Sequence, residues 1–162
     1  MLELGHQIMV FVHSRKDTSN TAKMLYEKAI DQVCVDLFDP QGHPQYEAAV
    51  KDMKSSRGRE LRELLPKGMG IHHAGMARSD RNLMEKLFGN GVLKVLCCTA
   101  TLAWGVNLPA AAVSATPSAE RVAAQHPTRL GKLKSINSLI TFPVDMRYHR
   151  ALTYDHLQRT LC

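Results

Sequence analysis

Val92-Leu93-Lys94-Val95-Leu96-Cys97-Cys98, running directly into Thr99-Ala100-Thr101, is the stretch on which the fold class depends. Six of its first seven residues are apolar. A short, nearly unbroken run of this kind is the pattern of a strand covered on both faces, as strands of a parallel sheet are. A helix pattern stands just before it. Ser79 is placed to cap that helix, Leu83, Met84, Leu87 and Phe88 make one apolar face, and Gly89-Asn90-Gly91 ends it. The strand then delivers Thr99 to the carboxyl edge of the sheet, where open α/β folds hold their ligands.

Working outward, Gln7-Ile8-Met9-Val10-Phe11-Val12 reads as a second buried strand. Polar His13 to Asp17 follow, and then a helix with Thr18 or Ser19 as its cap and Ala22, Leu25, Tyr26 and Ala29 at helical spacing. Strand, polar turn and helix form the unit of a parallel α/β sheet. Residues 33–38 read as a further short strand. The segment Asp39-Pro40-Gln41-Gly42-His43-Pro44 is a connector, and residues 45–65 form one or two amphipathic helices that stop at Pro66. After Val113 the character changes. Ser114-Ala115-Thr116-Pro117-Ser118-Ala119 resembles a linker, and residues 120–162 carry scattered basic residues with weak periodicity.

Composition limits the function classes. The chain has 162 residues, 44% apolar and 22% charged, which suits a globular domain with its own core. No apolar run approaches the roughly 20 residues of a membrane span. Neither is there a basic segment followed by an apolar one at the N-terminus, so the expected compartment is cytoplasm or nucleus. The net charge is +6. Residues 1–113 hold 14 Lys and Arg against 12 Asp and Glu, and residues 114–162 hold seven against three. That excess is compatible with a polyanionic partner. The four cysteines lack Cys-x-x-Cys spacing and read as buried thiols. The pair His72-His73 has no Asp, Glu or Cys placed to complete a metal site, which needs three or four ligands. Arg78 and Arg81, three apart at a helix start, share a face that either contacts phosphates or is simply solvated. Gly131-Lys132 is not part of a phosphate loop.

Three segments, in this order and spacing, resemble the second RecA-like domain of the Ski-type superfamily 2 helicases. They are Met9-Val10-Phe11-Val12-His13-Ser14-Arg15, Ile71-His72-His73-Ala74-Gly75-Met76, and Cys98-Thr99-Ala100-Thr101-Leu102-Ala103-Trp104-Gly105-Val106-Asn107-Leu108-Pro109-Ala110. The third is long and specific. The resemblance implies an α/β, RecA-like (P-loop NTPase-type), mostly parallel sheet flanked by helices over residues 6–113. That sheet would be incomplete at its C-terminal side, with residues 114–162 a non-homologous, poorly ordered tail of a truncated product.

In that family two RecA-like domains clamp ATP between them and bind one nucleic-acid strand across their tops. The resemblance therefore implies a fragment of an ATP-dependent helicase. It would supply one wall of the ATP cleft and part of a single-strand track for RNA or DNA, with the parent's first RecA-like domain as its partner. Arg15, His73, Gly75, Arg78, Arg81, Thr99 and Thr101 are the implied nucleic-acid contacts, with His72 as the alternative to His73. Gly105 and Asn107 would face the nucleotide, and Trp104 would pack beneath its loop. ATP and Mg²⁺ belong to the full-length parent. The phosphate loop, the Asp-Glu pair and the arginine finger that hydrolysis requires are not found in this sequence, so no hydrolysis is expected of the chain alone. The competing readings are a weak single-strand binding module and an inactive product.

Overall fold

The structure is a computed structural model. It describes residues 7–56 and 58–99 in full, together with the backbone of Ala112–Ala115 and Leu152–Thr153. Strand β1 (Ile8–Val12) is buried along its whole length, as its unbroken apolar run predicts. Two residues later helix α1 (Arg15–Asp31) begins. Its cap is Ser14, not Thr18 or Ser19. The Asp17 N–H donates to Ser14 Oγ at 3.2 Å, and the Ser14 N–H donates to an Asp17 carboxylate oxygen at 3.2 Å. Ser14 wins because it is the last extended residue after the strand, and its short side chain reaches back over the first turn. Thr18 lies inside the helix, buried, with its hydroxyl donating to the Arg15 carbonyl at 2.6 Å. Thr18, Ala22, Leu25 and Ala29 make the buried stripe.

Residues 33–38 do not form a strand. The Cys34 N–H bonds back to the Ala29 carbonyl at 2.9 Å, Val33 takes a φ of 56°, and Val35–Phe38 is a turn of 3₁₀ helix. The alternation a half-buried strand requires is missing: Cys34 and Phe38 are buried, while Asp36, which would share their face in a strand, is exposed. Helices α2 (Tyr46–Lys54) and α3 (Arg59–Leu64) follow, turning Ala49, Met53, Leu61 and Leu64 inward. Pro66 lies within a 3₁₀ turn, Leu65–Lys67, that closes this run. Gly68 then turns the chain with a φ of 62°. A Cβ there would meet the Phe38 carbonyl oxygen at 1.8 Å, so only glycine fits. Its own carbonyl accepts from the Lys94 and Val95 N–H groups, at 2.8 and 3.3 Å.

Strand β2 (Met69–His72) is buried throughout. Helix α4 (Arg78–Gly89) starts two residues earlier than a Ser79 cap allows, because the extended Ala77 precedes it; no side chain caps it, and Ser79 sits in its first turn. Its other end is as expected. The Asn90, Gly91 and Val92 N–H groups bond back to Lys86, Phe88 and Leu87, with Gly91 at a φ of 83°. Strand β3 (Val95–Thr99) begins three residues later than the apolar run, Val92 and Leu93 being buried plugs in the preceding turn.

The strands pair in the order β2-β3-β1-β4-β5, where β4 is Ala112–Ala115 and β5 is Leu152–Thr153, and all four pairings are parallel. The fold is thus α/β, a parallel sheet flanked by helices, with α1 packed on β1, β2 and β3 and α4 packed on β2. Most of what was read as a tail, and the segment 100–111, lie outside the described residues. Among the described residues no helix is long and apolar enough to cross a membrane.

Candidate nucleic-acid interface

Parallel pairing brings the carboxyl ends of three strands level. Val12 is opposite Thr99, and His72 is opposite Cys98. Whatever follows each strand therefore emerges at one edge, though β1 and β2 are about 60 residues apart in sequence. After β1 come His13, Ser14 and Arg15; after β2 comes the turn 73–76 and then Arg78; Thr99 is the last residue of β3.

The turn is closed by its own atoms. The Gly75 N–H donates to His73 Nδ1 at 3.1 Å, the Met76 N–H donates to the His73 carbonyl at 3.1 Å, and the His73 N–H points at Met76 Sδ at 3.4 Å. With Nδ1 accepting, the His73 proton is placed on Nε2 in the neutral ring. Arg15 lies across the turn: a Cβ on Gly75 would stand 2.9 Å from Arg15 Nη1, 3.2 Å from its Cδ and 3.3 Å from His73 Nδ1. Arg15, His73 and Gly75 thus come together, and the close approach that Gly75 permits is that of the Arg15 side chain. Burial first, and then the Arg15 charge, hold the His73 pKa below its usual value, with Glu60 pulling the other way and His72 adding to the lowering. At neutral pH the edge offers a guanidinium beside a neutral imidazole.

His72 is a different case. It is 3% exposed, and its Nε2 sits 2.7 Å from Glu85 Oε1 on α4. Burial lowers its pKa more than the Glu85 contact raises it. Of the two adjacent histidines, His73 is the more exposed, because His72 still belongs to the buried strand whereas His73 begins the turn beyond it. Arg78 is exposed in the first turn of α4, whose N-terminal N–H groups have no capping side chain. Such a terminus favours an anion. Arg81 is only partly exposed, and its Nε is buried without a hydrogen-bond partner. The two arginines are therefore not equivalent, as a shared solvated face would make them. Thr99 stands at the edge but is buried. Thr101, Trp104, Gly105 and Asn107 lie outside the described residues.

Two contributors escaped sequence reasoning. Glu85 meets His72 across a strand-to-helix contact 13 residues long in sequence. Glu60 reaches His73 from α3. The signal for Glu85 was present in its spacing, since it lies one turn beyond Arg81 and two beyond Arg78. Among the described residues no three His, Cys, Asp or Glu side chains group as a metal site would need. Cys97 and Cys98 are free and fully buried, and burial pushes the Cys97 thiol up to about 12, so neither is a nucleophile. Cys34 is disulfide-bonded, which corrects the expectation of a free thiol there.

No protein-family model matches the chain. Three relatives are similar to it over about two thirds of its length. The DExH-box ATP-dependent RNA helicase DExH14 of Arabidopsis thaliana is 57% identical over 109 residues, covering 67% of this chain. Activating signal cointegrator 1 complex subunit 3 of Homo sapiens is 57% identical over 113 residues, or 69% of the chain. The RQC trigger complex helicase SLH1 of Saccharomyces cerevisiae is 53% identical over 112 residues, or 68%. The chain spans only 5% to 6% of the length of these curated relatives. At more than half identity over so long a stretch chance likeness is excluded, and the matched part of this chain is homologous to a short section of the Ski-type superfamily 2 helicases.

Proposed function

We propose that this chain carries part of the second RecA-like domain of an ATP-dependent nucleic-acid helicase, in which the carboxyl edge of the sheet forms one stretch of the single-strand track. The observation that carries the reading is the convergence of Arg15, His73 and Gly75 with the uncapped start of α4 at Arg78. A cation, a neutral N–H donor and free backbone N–H groups within one small turn suit the phosphates of a strand, which take such donors without regard to base. In this reading Thr99 and Thr101 extend the track along β3 and beyond it. Gly105 and Asn107 face the nucleotide, so one segment touches both ligands and couples ATP state to strand grip.

ATP and Mg²⁺ act in the parent protein, between this domain and the first RecA-like domain. Residues 6–113 are the homologous part, and 114–162 form a non-homologous tail, of which Ser114, Ala115 and Leu152–Thr153 pair in the sheet. The parent works in the cytoplasm or nucleus on single-stranded RNA or DNA, and the chain alone hydrolyses no ATP.

The test is filter binding of the purified chain to labelled single-stranded RNA and DNA at two salt concentrations. The reading requires binding that weakens with salt, by a slope of about 0.7 in log affinity per log salt for each phosphate contacted. Absence of binding at low salt would refute it and favour a purely structural piece.

A further inference from the structure

The His72–Glu85 pair lies behind the edge rather than on it. His72 ends β2 and is almost wholly buried, and the contact of its Nε2 with Glu85 Oε1, 2.7 Å, joins the strand to the middle of α4. Glu85 occupies the helix face that carries Arg81 one turn earlier and Arg78 two turns earlier, so fixing Glu85 fixes the rotation of α4 about its axis. The other nitrogen of the ring, Nδ1, is buried without a hydrogen-bond partner, and so is Arg81 Nε. The Arg81 charge acts on the His72 ring. With Nε2–H given to Glu85, Nδ1 is an acceptor and Arg81 Nε–H a donor. These are complementary groups, an acceptor and a donor, each left unsatisfied. The groups facing His72 are then Glu85 and Arg81 from α4 and His73 from its own strand end.

We infer that His72 is a positioning residue: its link to Glu85 sets the rotation of α4, while its free nitrogen holds the inner part of the Arg81 side chain so that the guanidinium end is presented to a phosphate at the sheet edge. This rests on the proposed strand-binding role, and it assigns the two neighbouring histidines opposite tasks. His73 meets the strand, and His72 aims the arginine that meets it.

The experiment uses the 162-residue chain and two readouts. The first needs no nucleic acid. Imidazole ¹⁵N resonances of His72 show the Nε2–H tautomer at neutral pH, and Arg81 Nε–H exchanges slowly; the slow exchange is lost in His72→Leu and kept in His72→Gln, whose amide can still donate to Glu85. An Nδ1–H tautomer, or Arg81 exchange indifferent to His72→Leu, overturns the inference. The second readout is the salt dependence of oligo(U) and oligo(dT) binding. His72→Leu and Arg81→Gln each lower the slope by about 0.7, the contribution of one phosphate, and the double variant loses no more than either alone. His72→Gln restores most of the slope. Uniformly weaker binding at unchanged slope, or additive losses, overturns it. Where His72→Leu does not fold, Glu85→Ala breaks the same link from the partly exposed side and takes its place. A wild-type chain that binds neither oligonucleotide removes the functional reading, and the Arg81 exchange result then decides the positioning claim by itself.

Discussion

Replacing Gly75 by alanine separates the edge from the fold. The new methyl would stand 2.9 Å from Arg15 Nη1 and 3.2 Å from its Cδ, against an optimum near 3.5–4.0 Å for such contacts. Something must give by about half an ångström or more. The turn atoms are bound to one another, whereas Arg15 is an exposed side chain with free torsions, so Arg15 gives way. Gly75 is not among the glycines with positive φ, so alanine adopts its backbone conformation without strain. Such a Gly→Ala change stabilises by about 0.4–1 kcal/mol through the unfolded chain, which offsets the small cost of the shift. The melting temperature should therefore stay level or rise slightly.

Strand binding should fall, because the guanidinium leaves its place beside His73. Losing one phosphate contact lowers the salt slope by about 0.7, so between about 50 and 200 mM salt the variant's affinity drops about 2.6-fold less than that of the wild type. Arg15→Gln should give the same slope, and the double variant should add nothing. The assay is filter binding of oligo(U) across a salt series, alongside thermal unfolding by circular dichroism. Wild-type slope in Arg15→Gln refutes the placement of Arg15 on the track. A melting temperature lowered by several degrees in Gly75→Ala shows that the turn, rather than Arg15, had yielded.

Other expectations concern pH and the frame. His72 and His73 both have pKa values held below the usual 6.5, each chiefly by burial. The unfolded chain then takes up their protons first as pH falls. Their contribution to stability is complete above about pH 6.5 and is lost as pH drops through the folded values. Urea midpoints at pH 7.5 and 5.5 should differ in that sense, and a flat profile counts against the burial of His72. Because an anion beside His73 favours its charged form, oligonucleotide binding should tighten from about pH 8 to pH 6 with net proton uptake, measurable by calorimetry in buffers of different ionisation heat. Gly68→Ala forces a side chain onto the Phe38 carbonyl at a left-handed φ, at a cost well beyond the 1–2 kcal/mol of the backbone conformation alone, and soluble expression should fail. Ser14→Ala removes a capping box and should cost about 1 kcal/mol, with Ser14→Asn recovering most of it in chemical denaturation.

The sequence by itself determined the sheet's class and which residues follow its strands at one edge. Apolar runs at 8–12 and 95–99 carry no alternation because both their faces are covered, and the polar or glycine-bearing residues after them had to emerge at strand ends. Local patterns of this kind survive folding unchanged, whereas Arg15, His73 and Gly75 were singled out by resemblance to the helicase segments, and it is the fold that brings the three together. Caps were less legible. Ser14, Thr18, Ser19 and Ser79 are all chemically able to cap, and the choice depends on which residue is extended when its helix begins, a backbone fact that residue type does not carry. Residues 33–38 have β-forming composition but are bent back by bonds to the end of α1. The difference in surroundings between His72 and His73 was decided only in three dimensions. The two share a residue type and adjacent positions; what separates them is Glu85 on a helix packed across β2, and burial that only tertiary packing creates.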